Sequence, residues 1–261
     1  MINMRAAACF ALLTVLVGAR PSVAGELDDA VERYRPYLMD GIGDALAGTR
    51  MLRERAAASD LAGARAAWIA ARAGWERSEV FTAGFVPELD ALIDAWPNAD
   101  SGFHAIEARL FGAGQTDVGK DATALVTNLD DLHGKLRAMP LTAQGLLDGT
   151  VRLTYEVGES KADGGESRIS GTSLDDMRNN VAGIDFAYHT LFADALKAID
   201  AKLDAQVEHR IGELKAVVAA PDLPHVDTLR LRRASEELVV ALQVASARLG
   251  LRRPTLEAQS R

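Results

Sequence analysis

A histidine and a glutamate three residues apart near the middle of the chain could bind one ion together. His104 and Glu107 follow a turn rich in proline and glycine, and the segment that holds them ends at Gly112. On a helix, side chains three residues apart share a face at roughly 5–6 Å between Cβ atoms, so this imidazole and carboxylate could reach the same metal. Phe103 and Ile106 lie at helical spacing around the pair and predict a partly buried helix. The pattern predicts a metal site, although many helices carry this spacing as a simple hydrogen-bonded pair.

Four carboxylates in other segments could complete such a site. They are Glu76, Glu79, Asp94 and Glu166. The first two repeat the spacing of three residues, the third follows a short helical segment, and the fourth lies in a glycine-rich stretch. Carboxylates with one imidazole and no sulfur suit iron, manganese or zinc better than soft metals, and helical bundles hold iron or manganese with inward-facing side chains of these types. The alternative for the first two is a solvated helix face beside arginine residues.

Helical periodicity runs through most of the chain and predicts an all-α protein. The clearest apolar seam steps by three and four residues through Val118, Ala122, Leu125, Leu129, Leu132 and Leu136. Pro36 could kink or split the first helix. No pair of strands joined by a hairpin turn is indicated. We therefore expect about eight helices in antiparallel bundle packing.

The positions of two helix ends bear on the site. The helix that carries Glu76 is expected to start near Asp60 and to run to about Phe85. The glycine-rich stretch 158–171 is the main break in the chain, and a loop of this length is often functional. After it, Ser173 and Asp176 predict a capping box at the start of the next helix.

The first 24 residues have the pattern of a secretory signal peptide. Arg5 provides a positive start, an apolar run spans residues 6–17, and Ser22–Ala24 has the small-x-small pattern of a cleavage site. The run is too short to stay in a bilayer as a permanent helix, and an uncleaved N-terminal anchor is the alternative. We therefore expect a periplasmic helical domain over residues 25–261, without stable membrane insertion after cleavage.

Composition and charge narrow the function further. The chain has 261 residues and a net charge of −8, and loss of Arg5 and Arg20 with the signal segment would take the charge to about −10. Cys9 is the only cysteine and lies in the same segment, so the exported chain would hold neither a disulfide nor a thiolate ligand. An acidic chain without a basic patch suits a protein that handles cations and is a poor candidate for binding nucleic acid.

Four segments occur in an order that resembles the imelysin or EfeO-like family. They are Trp75–Glu79, Asp90–Asp94, Gly102–Glu107 and Lys161–Arg168. The most specific is Gly-x-His-x-x-Glu followed by a Leu-Phe-Gly ending at Gly112. Asp175–Gly183 also resembles the family's Asp-x-x-x-Asn-Val-x-Gly segment. The resemblance runs from about residue 26 to the C-terminus and matches the short, bundle-only form without the N-terminal cupredoxin-type domain.

The resemblance implies an exported all-α protein of two packed helical bundles with a cleft between them. In the EfeO-like branch such a protein is a periplasmic component of iron uptake that passes iron to an inner-membrane permease. The family's cleft carboxylates fall on Glu76, Glu79, Asp94 and Glu166, and its His-Glu pair falls on His104 and Glu107. The expected cargo is Fe2+ or Fe3+, with zinc or copper as further candidates in vitro. Where the family has an aromatic residue and a histidine before Thr172, this chain has Ile169, Ser170 and Gly171, which weakens the correspondence around that loop.

Two other function classes stay open at this point. The family is also labelled a metallopeptidase, but the helical zinc signatures H-E-x-x-H and H-x-x-E-H need a second histidine, and Ala108 follows Glu107 here. No nucleophile with an adjacent base is indicated either. The third class is a helical scaffold that binds a partner without metal, in which the carboxylates would be merely solvated.

Overall fold

The computed structural model describes residues 23–95, 100–162 and 166–256, and within these ranges the chain forms helices, turns and no β-strand. The all-α prediction is therefore confirmed. The predicted signal peptide lies outside the described residues except for its last two, which begin the first helix. The α-helices are α1 (Val23–Ala57), α2 (Leu61–Glu76), α3 (Thr82–Phe85), α4 (Pro87–Ile93), α5 (Gly102–Glu107), α6 (Gly119–Leu136), α7 (Ala143–Gly158), α8 (Ser173–Tyr188), α9 (Asp194–Val218) and α10 (Thr228–Arg248). Two π-helical turns, Ala108–Ala113 and His189–Ala193, extend α5 and α8, and Leu223–His225 is a 3-10 turn.

The helices pack as two groups around one continuous apolar core. In the first group α1 packs along α2 and α6, and in the second α10 packs against α7 and α9 while α8 packs against α7 and α9. Contacts of α2 with α8 and of α3 with α7 join the groups. The apolar seam predicted on α6 is buried throughout. Two packed bundles are what the family resemblance implied, whereas a division of the chain near 158–171 stays a prediction, since that stretch connects α7 to α8.

The long first helix is continuous despite its proline. Pro36 lies inside α1, which runs for 35 residues. A proline at this point removes one backbone hydrogen bond, but Tyr34 and Leu38 beside it are fully buried in the core. Packing therefore holds the helix together where the local sequence favoured a break.

The helix that bears Glu76 ends nine residues before the predicted Phe85. Asp60 does cap its start, accepting a 2.8 Å hydrogen bond from the Gly63 amide. At its end, the Asn180 side chain of α8 donates to the carbonyl of Glu76 at 2.9 Å. This tertiary hydrogen bond holds the last carbonyl of α2, and the chain leaves the helix through turns at 77–81. The predicted extent was wrong because a contact from another helix sets the end.

The predicted capping box at the start of α8 is also wrong. Thr172 is the N-cap residue, and the Ser173 hydroxyl donates instead to the backbone carbonyl of Glu166. Asp176 does not return to the helix start, because its carboxylate faces the guanidinium of Arg72 at 3.0 Å. Ser173 thus holds the α7–α8 connection, and Asp176 joins α8 to Arg72 of α2 in the interior. None of the described helices combines the length and the apolar composition that a membrane span requires.

Candidate metal centre

Charged and polar side chains from six parts of the chain meet in the interior. The contributing residues are Arg72 and Glu76 of α2, Glu79 of the following turn, Asp94 at the end of α4, His104 and Glu107 of α5, Lys161 and Glu166 of the α7–α8 connection, and Asp176 and Asn180 of α8. We call this set the buried cluster. The members that form ion pairs have side chains that are at most 13% exposed, and Asn180 is fully buried.

A backbone contact explains the glycine that begins the histidine motif. Gly102 has a φ of +59°, a conformation that strains other L-residues. A Cβ atom at this position would also overlap the carbonyl of Ile93, the last residue of α4. The glycine therefore lets α5 begin directly against the end of α4, which brings His104 beside Asp94.

His104 is held by a hydrogen-bond chain on one edge of its ring. Its Nδ1 lies 3.0 Å from Oε2 of Glu107, and the other oxygen, Oε1, accepts from the Ser170 amide at 2.8 Å and from the Ser170 hydroxyl at 2.7 Å. Its Nε2 faces Asp94 at 3.5 Å and Glu166 at 3.7 Å. A carboxylate on the far nitrogen is the usual way of orienting a metal-binding histidine. Glu107 thus fixes the imidazole, and Nε2 is the nitrogen that faces the carboxylates.

Lys161 occupies the opposite side of the buried cluster. Its ammonium lies 2.9 Å from Glu76, 3.0 Å from Glu79 and 2.8 Å from Glu166. The Asn180 amide nitrogen donates to the same oxygens of Glu76 and Glu79, at 2.8 and 2.7 Å. Glu76 and Glu79 therefore form a joint binding surface for a cation, and in this structure the cation is a lysine side chain.

Arg72 is the second permanent cation of the buried cluster. It is 1% exposed, forms ion pairs with Glu76 and Asp94, and lies 3.0 Å from Asp176. Its guanidinium also lies over the ring of Phe103 at 5.4 Å. A buried guanidinium with carboxylates around it and an aromatic ring on its face is a fixed counter-charge.

The buried cluster carries more negative than positive charge. It contains six carboxylates against two permanent cations and one imidazole, so full ionisation would leave a net charge of −3. Buried charge that is not neutralised is costly because the interior has a low dielectric response. The cluster can lower this cost by taking up protons or by binding a multivalent cation.

Proton uptake is visible in the pKa values of the cluster. Burial opposes the charged imidazole, but hydrogen bonds to Glu107 and Glu166 outweigh it and raise the pKa of His104 to about 9. Burial raises the pKa of Asp94 to about 7, against the opposing charge of Arg72. Burial likewise raises the pKa of Asp176 to about 6. His104 thus holds its proton at neutral pH, and Asp94 titrates close to neutral pH.

The pKa values of two carboxylates of the cluster, Glu79 and Glu166, are shifted in opposite directions. Burial, together with the charge of Glu76, raises the pKa of Glu79 well above its ordinary value. Burial acts in the same sense on Glu166, but Lys161, His104 and Arg72 outweigh it and hold the pKa of that carboxyl well below its usual range. Glu166 is therefore a charged oxygen donor at neutral pH.

Two overlapping groups of side chains could hold a metal ion in the described part of the chain. One contains Asp94, His104 and Glu166, and the other contains Glu76, Glu79, Asp94 and Glu166, with ligand atoms within 4.8 Å of one another in each group. Oxygen donors with one imidazole nitrogen suit iron, manganese and zinc. The structure thus brings together all six residues named from the sequence, with Glu107 behind His104 rather than facing the carboxylates.

Four members of the buried cluster were not predicted from the sequence. Asp176 was predicted as part of a helix cap, and Arg72 entered only as a neighbour of the glutamates in the alternative of a solvated face. Lys161 and Asn180 were noted only as parts of family-like segments. One signal could have identified Arg72, since it stands one helical turn before Glu76 on the same face. Ser170, one of the residues that differ from the family pattern, donates hydrogen bonds to Glu107 from its amide and its hydroxyl.

A cleft reaches the buried cluster from the surface. It has a volume of about 370 Å3, and Arg72 and Asp176 lie at its base between α2 and α8. A larger open groove of about 720 Å3 along α8 and α9 contains none of the cluster's residues. The smaller cleft is therefore lined by two members of the buried cluster.

Comparison with known proteins places this chain in a family. The imelysin (peptidase M75) profile matches residues 30–101 and 98–249. An Efem/EfeO family lipoprotein from Staphylococcus aureus strain MRSA252 is 32% identical over 201 residues, which cover 71% of this chain and 69% of that protein. A candidate iron-regulated protein A precursor from Parabacteroides distasonis superposes with a TM-score of 0.73 at 18% identity, over 89% of this chain and 97% of that one. An imelysin-like protein from Psychrobacter arcticum gives 0.72 at 15% identity, over 92% and 100% of the two chains. These two likenesses concern the fold alone.

Proposed function

The chain belongs to the imelysin family, and we propose that it is an exported protein of iron uptake that binds an iron ion in the buried cluster and passes it to an inner-membrane permease. The observation that carries this proposal is the orientation of His104. Its Nδ1 is held by Glu107, and its Nε2 faces two carboxylates at 3.5 and 3.7 Å. Side chains oriented in this way are characteristic of metal sites.

The family relatives support the cargo and the cellular location. The relative from S. aureus is named an Efem/EfeO family lipoprotein, and the structural neighbour from P. distasonis is named for iron regulation. A lipoprotein is held at the cell envelope, which agrees with the signal peptide expected here and with a periplasmic location. The permease belongs to the same proposal, since an envelope protein that binds iron for uptake needs a membrane partner.

Asp94, His104 and Glu166 are proposed to contact the ion. Glu166 supplies a charged oxygen, and Asp94 and His104 would each release a proton when they bind metal at neutral pH. Glu76 and Glu79 add hard oxygen donors on the other side of the cluster. This donor set suits Fe2+ or Fe3+, while zinc and copper would compete in vitro because nitrogen and oxygen sites bind them strongly.

Binding is proposed in preference to peptide hydrolysis. A zinc peptidase needs a carboxylate that acts as a general base towards a bound water or substrate. Glu107 is the candidate in this motif, but one of its oxygens is taken by His104 and the other by Ser170. Both ion-binding groups in the described residues also contain a single histidine at most. The carboxylate is thus committed to orienting the imidazole.

Uptake of radioactive iron by cells tests the function. In a strain without this gene, the wild-type protein is expected to restore uptake under iron limitation, and His104→Gln is expected to lose most of it. His225→Gln serves as the matched control, because His225 is a surface histidine with a 69% exposed side chain. Full uptake by the His104 variant, at equal protein level in the envelope, would contradict the proposal.

A further inference from the structure

The two ion-binding groups of the buried cluster share two carboxylates. Asp94 and Glu166 belong to both, His104 belongs only to the first, and Glu76 and Glu79 belong only to the second. Carboxylates shared in this way can bridge two cations, as in protein sites that hold two metal ions about 3.5–4 Å apart. By its carboxylates alone, the cluster has two cation positions.

The second position is already taken by a positively charged side chain. The ammonium of Lys161 lies within 3.0 Å of Glu76, Glu79 and Glu166, which are three of the four carboxylates in that group. Lys161 is 5% exposed, so little water competes for it. Buried lysines are rare unless they are paired, and this one has three carboxylate partners.

Arg72 lies beside the same carboxylates but does not fill the position of Lys161. Its guanidinium forms ion pairs with Glu76 and Asp94 and lies 3.4 Å from Glu166, but its ion pairs among the described residues do not include Glu79. Asp176 at 3.0 Å and the face of Phe103 fix the guanidinium further. Asn180, in contrast, presents its amide to Glu76 and Glu79, and its Oδ1 has no hydrogen-bond partner among the described residues. Asn180 is fully buried. An unpartnered buried oxygen next to these two carboxylates is a further donor on the side that Lys161 occupies.

We propose that the ammonium of Lys161 serves as an internal cation in the second position, so that the centre holds one metal ion, at Asp94, His104 and Glu166, instead of two. The inference rests on the proposed function and specifies the stoichiometry of its site. A positive charge within 3.0 Å of Glu76, Glu79 and Glu166 repels a second ion and neutralises the carboxylates that would bind it. Lysine is suited to the task because its ammonium is a compact point charge on a flexible stem.

Anaerobic titration with ferrous ion tests this inference. The wild-type protein is expected to bind one ion per chain, and Lys161→Met is expected to bind two. Lys135→Met is the matched control, because Lys135 is a surface residue whose side chain is 56% exposed. The control loses the same single charge and should still bind one ion. Lys161→Arg keeps the charge and should also bind one.

The outcomes separate the inference from the function on which it rests. Two ions in the wild type, or one ion in a folded Lys161→Met variant, would overturn the inference and leave the proposed function intact. No ion in the wild type would overturn both. Should Lys161→Met fail to fold, crystals of the wild type soaked in ferrous ion decide the question. A single anomalous peak next to His104, with Lys161 still on Glu76 and Glu79, is expected, and a peak between those two glutamates with Lys161 displaced would overturn the inference.

Discussion

Deprotonation of His104 should lower the free energy of unfolding of the metal-free protein by about 2 kcal/mol between pH 7.5 and pH 9.5. The pKa of His104 is about 9 in the folded chain, against an ordinary value of 6.5. A pKa raised by folding stabilises the folded state fully below the unfolded value, and this stabilisation is lost as the pH rises through the folded value. At about 1.4 kcal/mol per unit of pKa, the whole effect is about 3 kcal/mol, of which about 2 kcal/mol disappears in this window. The lower limit of pH 7.5 keeps the measurement above the pKa of Asp94, which is about 7.

Urea unfolding of the chelator-treated protein measures this change. The free energy of unfolding is determined at several pH values for the wild type and for His104→Gln, which cannot titrate at this position. The wild type should lose about 2 kcal/mol more than the variant, which is a large part of a typical stability of about 5–15 kcal/mol. Parallel pH profiles for the two proteins would refute the argument, because His104 would then not be held as an imidazolium by Glu107 and Glu166.

Three further predictions concern other parts of the cluster and its supports. Metal affinity should rise by about tenfold per pH unit between pH 7.5 and pH 9, because the ion must displace a proton from His104. Calorimetry in buffers of different ionisation enthalpy would detect the released proton. An affinity that does not change with pH would contradict the assignment of His104 as a ligand. Arg72→Met should destabilise the protein by about 3–5 kcal/mol by leaving buried carboxylates unpaired, whereas Arg50→Met removes an exposed ion pair and should cost less than about 1 kcal/mol in the same urea assay. Gly149→Ala should lower the midpoint of thermal unfolding, because a Cβ atom there would overlap a backbone carbonyl of the turn after α2. The control Gly134→Ala meets open space on α6 and should be neutral or stabilising by up to about 1 kcal/mol. Equal midpoints for the two alanine variants would argue against the close packing of that turn.

Local patterns were sufficient for the helical class and for the positions of most site residues. The seam on α6 follows directly from the spacing of its leucines, and the cap at Asp60 follows from its side chain. The motif around His104 was recognisable because three features coincide within eleven residues: a glycine, the His-x-x-Glu spacing and a glycine ending. The membership of the imelysin family, first inferred from such segments, is confirmed by the profile match.

The charge balance of the cluster could not be read from local patterns. Lys161 meets Glu76 and Glu79 across more than 80 residues of chain, and only the packing of the α7–α8 connection against α2 brings them together. Arg72 entered the sequence analysis only as one of the arginines beside the glutamates in the alternative of a solvated helix face, and arginine is rarely buried unless it is paired. The end of α2 could not be predicted locally either, because a hydrogen bond from Asn180 on the distant helix α8 determines it. These features belong to tertiary contacts, which periodicity does not encode.

The most direct test of the central claim is a calorimetric titration of the metal-free protein with iron, zinc and copper. The claim is that the buried cluster holds a metal ion through His104 and its carboxylate neighbours. The wild-type protein should bind iron tightly with a stoichiometry near one, and the double variant Glu76→Ala with His104→Ala should lose that binding while remaining folded. Absence of binding by the wild type, or unchanged binding by the folded double variant, would contradict the account and favour a helical scaffold without metal.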